Sequence, residues 1–118
     1  MAIQTFRDLV AWQRGMDLVA TVYQVSNGWP AEEMFGLTSQ VRRAAVSIVA
    51  NIAEGQGRSG PREFLHHLSI ADGSLSEVEA LMLVAARLGY AAEQTVDQVV
   101  ELIVSVRRPL RGLIQRLH

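Results

Sequence analysis

Between Val96 and Leu117 apolar side chains return at alternating intervals of three and four residues: Val96, Val99, Ile103, Val106, Leu110, Leu113 and Leu117. A strand repeats every second residue, so this spacing requires a helix with one apolar face. That face must be covered by other helices, because no alternating runs suggest strands elsewhere in the chain. Three further segments carry the same period, divided by Gly, Pro and Asn breaks. In the first, Thr5 and Asp8 form a capping box, followed by Leu9, Trp12, Met16, Val19 and Tyr23 and a stop at Ser26-Asn27-Gly28-Trp29-Pro30. In the second, Thr38 serves as N-cap, Val41, Ala45, Ile48 and Ile52 line one face, and Gly55 ends the helix. The third starts at Pro61 and runs without a breaker to Leu88, about 42 Å at ~1.5 Å per residue, with Gly89 after it.

The third helix carries two seams: Phe64, Leu68, Ala71, Leu75, Val78, Met82 and Ala85, and a second of Ile70, Leu81, Val84 and Leu88. One core needs one seam, so the second asks for a partner. In the fourth, Pro109 leaves the Ser105 carbonyl without its donor and predicts either a kink or two separate helices. Short connections make neighbours antiparallel, so the expected fold is all-α: an antiparallel up-down-up-down four-helix bundle in a single domain over residues 1–118.

Composition narrows the function. The chain has no cysteine, which removes disulfides, thiolate metal sites and cysteine nucleophiles and suits a reducing compartment, hence an expected cytoplasmic location. Met1 to Asp8 shows no export or organelle signal, and the longest apolar run, Ala80 to Ala86, is far short of the ~20 residues a bilayer requires, so no membrane is expected. Net charge is -1, so any nucleic-acid role must rest on local clustering. All 11 basic residues are arginine, which rules out lysine Schiff-base chemistry. Hydrophobic residues make up 49% and charged residues only 19%, a balance that leaves apolar surface for association.

Several stretches together resemble the family of small four-helix-bundle proteins encoded in 23S rRNA intervening sequences. They are Phe6-Arg7-Asp8-Leu9 with Trp12-Gln13, Phe35-Gly36-Leu37-Thr38-Ser39-Gln40-Val41-Arg42-Arg43-Ala44, Ser47-Ile48, and Asn51-Ile52-Ala53-Glu54-Gly55 with Gly57-Arg58. Ala71, Gly73-Ser74 with Glu77, and Leu88-Gly89-Tyr90 complete the set, which covers about residues 6–90. Val49-Ala50 departs from the pattern, since a proline is expected after the Ser-Ile pair; a straighter second helix follows. The resemblance implies an antiparallel bundle that packs side by side into a homopentameric ring, with no established catalytic activity; no cofactor is expected. The family is also similar to the accessory proteins of diversity-generating retroelements, ring-forming bundles that contact nucleic acid and a reverse transcriptase. The implied partners are therefore further copies of the chain, and RNA or a nucleic-acid-processing protein.

Gly55-Gln56-Gly57-Arg58-Ser59-Gly60 formally matches the dinucleotide-binding fingerprint, but a helix precedes it where a strand is needed. It reads as a helix end and a turn; the amides opening helix three, with Arg58 and Arg62, remain able to hold a phosphate. Glu63 and His66 form a single Glu-x-x-His, whereas a di-metal bundle needs two such motifs plus further carboxylates, so no metal site is expected. His66 and His67 point about 100° apart and read as rim residues.

Gln40, Arg43, Ser47, Asn51 and Glu54 form a polar stripe on helix two. Glu77 shares the second helix-three seam with Ser74, so it is expected partly buried and paired with Arg42 or Arg43, in a polar network that sets helix or subunit register. The bundle topology gathers Arg7, Arg58, Arg62, Arg111 and Arg116 at one end with His66 and His118, partly neutralised by Asp8, Glu54 and Glu63. Glu32, Glu33, Glu93 and Asp97 fall at the other end. The leading reading is a noncatalytic oligomeric scaffold or adaptor with a basic rim for RNA. A purely structural or protein-binding assembly and a metal-dependent bundle enzyme are the alternatives.

Overall fold

The computed structural model describes residues 5–58 and 60–118. Met1–Gln4, the start of the segment read for targeting signals, and Ser59 of the glycine motif lie outside them. Four helices form: α1 (Val10–Ser26), α2 (Leu37–Gln56), α3 (Pro61–Arg87) and α4 (Glu93–Leu117), with short 3-10 turns at Phe6–Asp8 and Ala31–Glu33. Each helix touches two others in the cyclic order α1, α2, α3, α4, and diagonal pairs stay apart among the described residues. Consecutive helices run in opposite directions along a body of 43 × 25 × 20 Å, so the expected bundle is present. None of the described helices is long and apolar enough to cross a membrane.

The face of α4 follows its sequence pattern. Val96, Val99, Ile103, Val106 and Leu110 are buried, while Leu113 and Leu117 are half-buried where the bundle ends. The helix continues through Pro109 to Leu117 as one element. On α3 the first seam is buried from Leu68 to Ala85, with Phe64 half-buried at its start. The second seam is outward: Ile70, Val84 and Leu88 are exposed and Leu81 is half-buried.

Helix α1 departs from the expected face. Its buried residues are Ala11, Gly15, Leu18, Val22 and Ser26, whereas Met16 and Tyr23 are exposed and Trp12 and Val19 half-buried. The cause is close approach to α2: a Cβ at position 15 would lie 2.8 Å from Val49 Cγ1. The small side of α1 therefore turns inward, and its large residues cover the flanks. The Thr5–Asp8 capping box forms, but it caps the 3-10 turn; extended backbone at Leu9 separates this turn from α1.

Helix α2 begins one residue before the expected cap. Thr38 is buried within its first turn, and the Leu37 amide donates instead to Glu33 Oε1 at 3.2 Å. The same Glu33 carboxylate accepts from Tyr90 Oη at 3.0 Å, tying the α1–α2 and α3–α4 connections together. That hydrogen bond, then desolvation, raises the Tyr90 pKa above its ordinary 10.0, since the neutral phenol is the donor. Gly89, with φ +83°, turns the chain out of α3 in a conformation that a side chain would oppose.

Candidate nucleic-acid interface

The site begins with the hairpin of α2 and α3. Gly60 has φ +105° and N-caps α3, with Pro61 in the first turn, so the chain reverses within a few residues. Gly55 does not end α2, which continues to Gln56; it lets α3 come close, because a Cβ there would lie 2.7 Å from His67 Cβ and 3.0 Å from Phe64 Cδ1.

This close approach builds a chain of hydrogen bonds along the hairpin. Ser74 Oγ donates to Ser47 Oγ at 2.9 Å, and Asn51 Nδ2 donates to the Ser47 hydroxyl and carbonyl at 3.0 and 2.8 Å. Asn51 is thereby oriented with Oδ1 toward α3, where His67 Nδ1 lies at 3.0 Å and serves as the donor. His67 Nε2 then faces Glu54 Oε1 at 4.0 Å, and Arg58 donates to the same oxygen at 2.7 Å. The Arg58 hydrogen bond, followed by the field of His67, holds the Glu54 carboxyl below its ordinary 4.5. Arg58 in turn holds its proton more tightly.

Of the residues expected in a polar network, Asn51, Glu54 and Ser74 therefore join through Ser47 and His67. The others do not. Glu77 is exposed and, among the described residues, forms no bond to either arginine, because it sits on the solvent side of α3, outside the buried positions Ser74 and Val78. Arg42 turns to α1, donating to Ser26 Oγ at 2.9 Å with its guanidinium 4.6 Å from the Tyr23 ring centre. Arg43 is exposed beside it.

Sequence spacing predicts a rim position for His67, yet its side chain is only 14% exposed. A signal was available: in a hairpin turning near position 59, residues 51 and 67 are equidistant from the turn and face each other. The same register about Tyr90 brings Asp72 opposite Arg107, and Arg107 Nε donates to Asp72 Oδ1 at 3.1 Å. Sequence reading missed that pair too.

The arginine pole forms in part as expected. Arg58, Arg62, Glu63, His66 and His67 line one cleft. Arg62 and His66 continue into a second, bordered by Asp72, Ile114 and His118. Among the described residues Arg62 has no hydrogen bond or ion pair, which leaves its guanidinium free in both clefts. Arg116 shares a third cleft with Asp8 and Pro109, on the α1–α4 side. Arg7 is exposed near that edge, its carbonyl accepting from Gln13 Nε2 at 2.8 Å. Arg111 lies 3.8 Å from Asp72, so its charge is already opposed. The geometry thus brings Arg58 and Arg62 together, extends them to the end of α4, and sets Arg7 and Arg116 apart.

The sequence matches the family model of the 23S rRNA-intervening sequence protein over residues 7–112. The chain belongs to this family. The match extends beyond residues 6–90, through most of α4, and takes in Arg7, Arg58, Arg62 and Arg111. No curated protein matches the chain closely. Family membership and a four-helix fold thus stand together; the rim arginines supply the chemistry from which a function can be argued.

Proposed function

We propose that this member of the 23S rRNA-intervening sequence protein family is a noncatalytic, self-assembling adaptor of the cytoplasm that holds RNA against its arginine pole. The observation carrying this reading is the double cleft around Arg62, whose guanidinium has no ion pair among the described residues and which shares the clefts with Arg58, His66 and His118 as well as Glu63 and Asp72. Arginine presents a planar fork of donors suited to phosphate oxygens. One protomer offers few such contacts, but repetition of the pole around an assembly turns it into a multivalent surface. A homopentameric ring, as the family resemblance implies, suits this role.

The test is binding of a structured RNA to the purified protein across a salt series, beside the Arg58→Ala, Arg62→Ala double variant. Affinity should fall steeply with salt, and the variant should flatten the logarithmic slope by roughly 0.7 to 0.9 per lost phosphate contact. Absence of binding at low salt would sink the RNA reading. A protein-binding assembly is then favoured, for which Phe35, 98% exposed, is the specific observation.

A further inference from the structure

Two grooves at the pole opposite the arginines combine exposed apolar side chains with charges of opposite sign, while Val84 and Leu88 are exposed outside both. On the α1–α2 edge, Phe35 stands 98% exposed beside Tyr23, Met34 and Val46, above a groove that also contains Arg42 and Arg43. On the α3–α4 edge, Leu83 is 53% exposed in a groove with Ala86 and Ala91, lined also by Glu93, Asp97 and Arg87. Among the described residues, Arg42 and Arg43 have no carboxylate partner and neither Glu93 nor Asp97 has an ion pair.

Their placement in the fold matters as much as their chemistry. The first patch spans the end of α1 and the start of α2; the second spans the end of α3 and the start of α4. Both therefore lie at the same level along the bundle axis. In the cyclic order of helices the α1–α2 edge is opposite the α3–α4 edge.

We infer that these patches are the two halves of one heterologous contact between copies of this chain: Phe35 of one copy enters the Leu83–Ala91 groove of the next, and Arg43 meets Glu93 and Asp97. Opposite faces at equal height are what side-by-side repetition requires, and such a contact closes into a ring when the rotation permits. A twofold interface would instead need one patch complementary to itself, which a patch carrying Arg42 and Arg43 is not. The contact leaves the arginine poles of all copies on the same side, which joins it to the RNA reading. The inference rests on the self-assembly proposed above and adds which surfaces carry it.

Two variants test it with light scattering: Phe35→Asp removes the knob and Leu83→Asp removes the socket. Both positions are exposed, so helix content by circular dichroism should match wild type; Arg43→Glu is an independent knob-side variant that touches no core residue. Wild type should show several times the 13.0 kDa chain mass, and each variant alone should fall to that of one chain. An equimolar mixture of the two aspartate variants should give twice the chain mass and stop, since it has one intact knob and one intact socket per pair. A mixture that stays monomeric overturns the pairing. Full-size assembly of both Phe35→Asp and Arg43→Glu overturns the assignment of the knob while leaving self-assembly standing, and monomeric wild type overturns both.

Discussion

The α2–α3 seam and the buried face of α4 hold the same bundle together by different means. The α4 face is aliphatic throughout: Val96, Val99, Ile103, Val106 and Leu110. It gains stability from area removed from water and requires no particular partner atom. The α2–α3 seam has Gly55, Ser47 and Ser74 where side chains would otherwise keep the helices apart, and a hydrogen-bond chain through Asn51 and His67 fixes the register. Aliphatic packing tolerates small shifts, while hydrogen bonds at 2.9 to 3.0 Å do not. The comparison assigns bulk stability to one face and alignment to the other.

Truncation of α4 should have the largest effect. Ile103→Ala leaves a cavity at a fully buried position and should cost about 2–5 kcal/mol in chemical denaturation. A loss below ~1 kcal/mol would mean that the aliphatic face is not the main source of stability. Overfilling the other seam comes next. Gly55→Ala places a methyl against His67 and Phe64 and should cost about 1–3 kcal/mol. The same change at Gly112, where a Cβ meets nothing within 4 Å, should stabilise by about 0.5–1 kcal/mol through helix propensity. Equal responses at the two glycines would remove the argument for close approach.

Asn51→Ala removes the amide that links Ser47 to His67, leaving Ser47 its bond from Ser74, and should cost about 1–3 kcal/mol, with the His67 ring losing its fixed orientation in NMR spectra. Retention of the ring's wild-type contacts would show that packing alone sets the register. The smallest effect concerns pH. Because the folded-state Glu54 pKa lies below 4.5, its contribution is present above that value and is lost as pH falls through the folded value. Arg58→Ala should return the Glu54 titration toward 4.5, read by NMR of the carboxyl carbon; an unmoved titration would assign the shift to His67 instead.

Much of this architecture was legible because it depends on period. The α4 heptad, the first seam of α3 and the Val41, Ala45, Ile48 and Ile52 face of α2 are buried as their spacing predicts, since an apolar stripe has only one stable place to go. The inward face of α1 was misread for the opposite reason: periodicity weights large side chains, and the contact that oriented this helix is made by a missing one, at Gly15. At the arginine pole, topology was enough to bring Arg58 and Arg62 together. The register about Tyr90 also pointed to Asp72 opposite Arg107, whereas the place of Arg111 beside Asp72 required the lateral packing of α3 and α4.

By itself, the sequence determined that four amphipathic helices would form, between which turns they would lie, and which family they belong to, because helix period and turn residues act over a few neighbours. Tertiary structure alone decided that Glu77 faces solvent and that two apolar patches of opposite charge face away from each other at the same height. Those outcomes depend on the rotation of each helix about its axis, which distant contacts set: Gly15 against Val49 and Gly55 against His67.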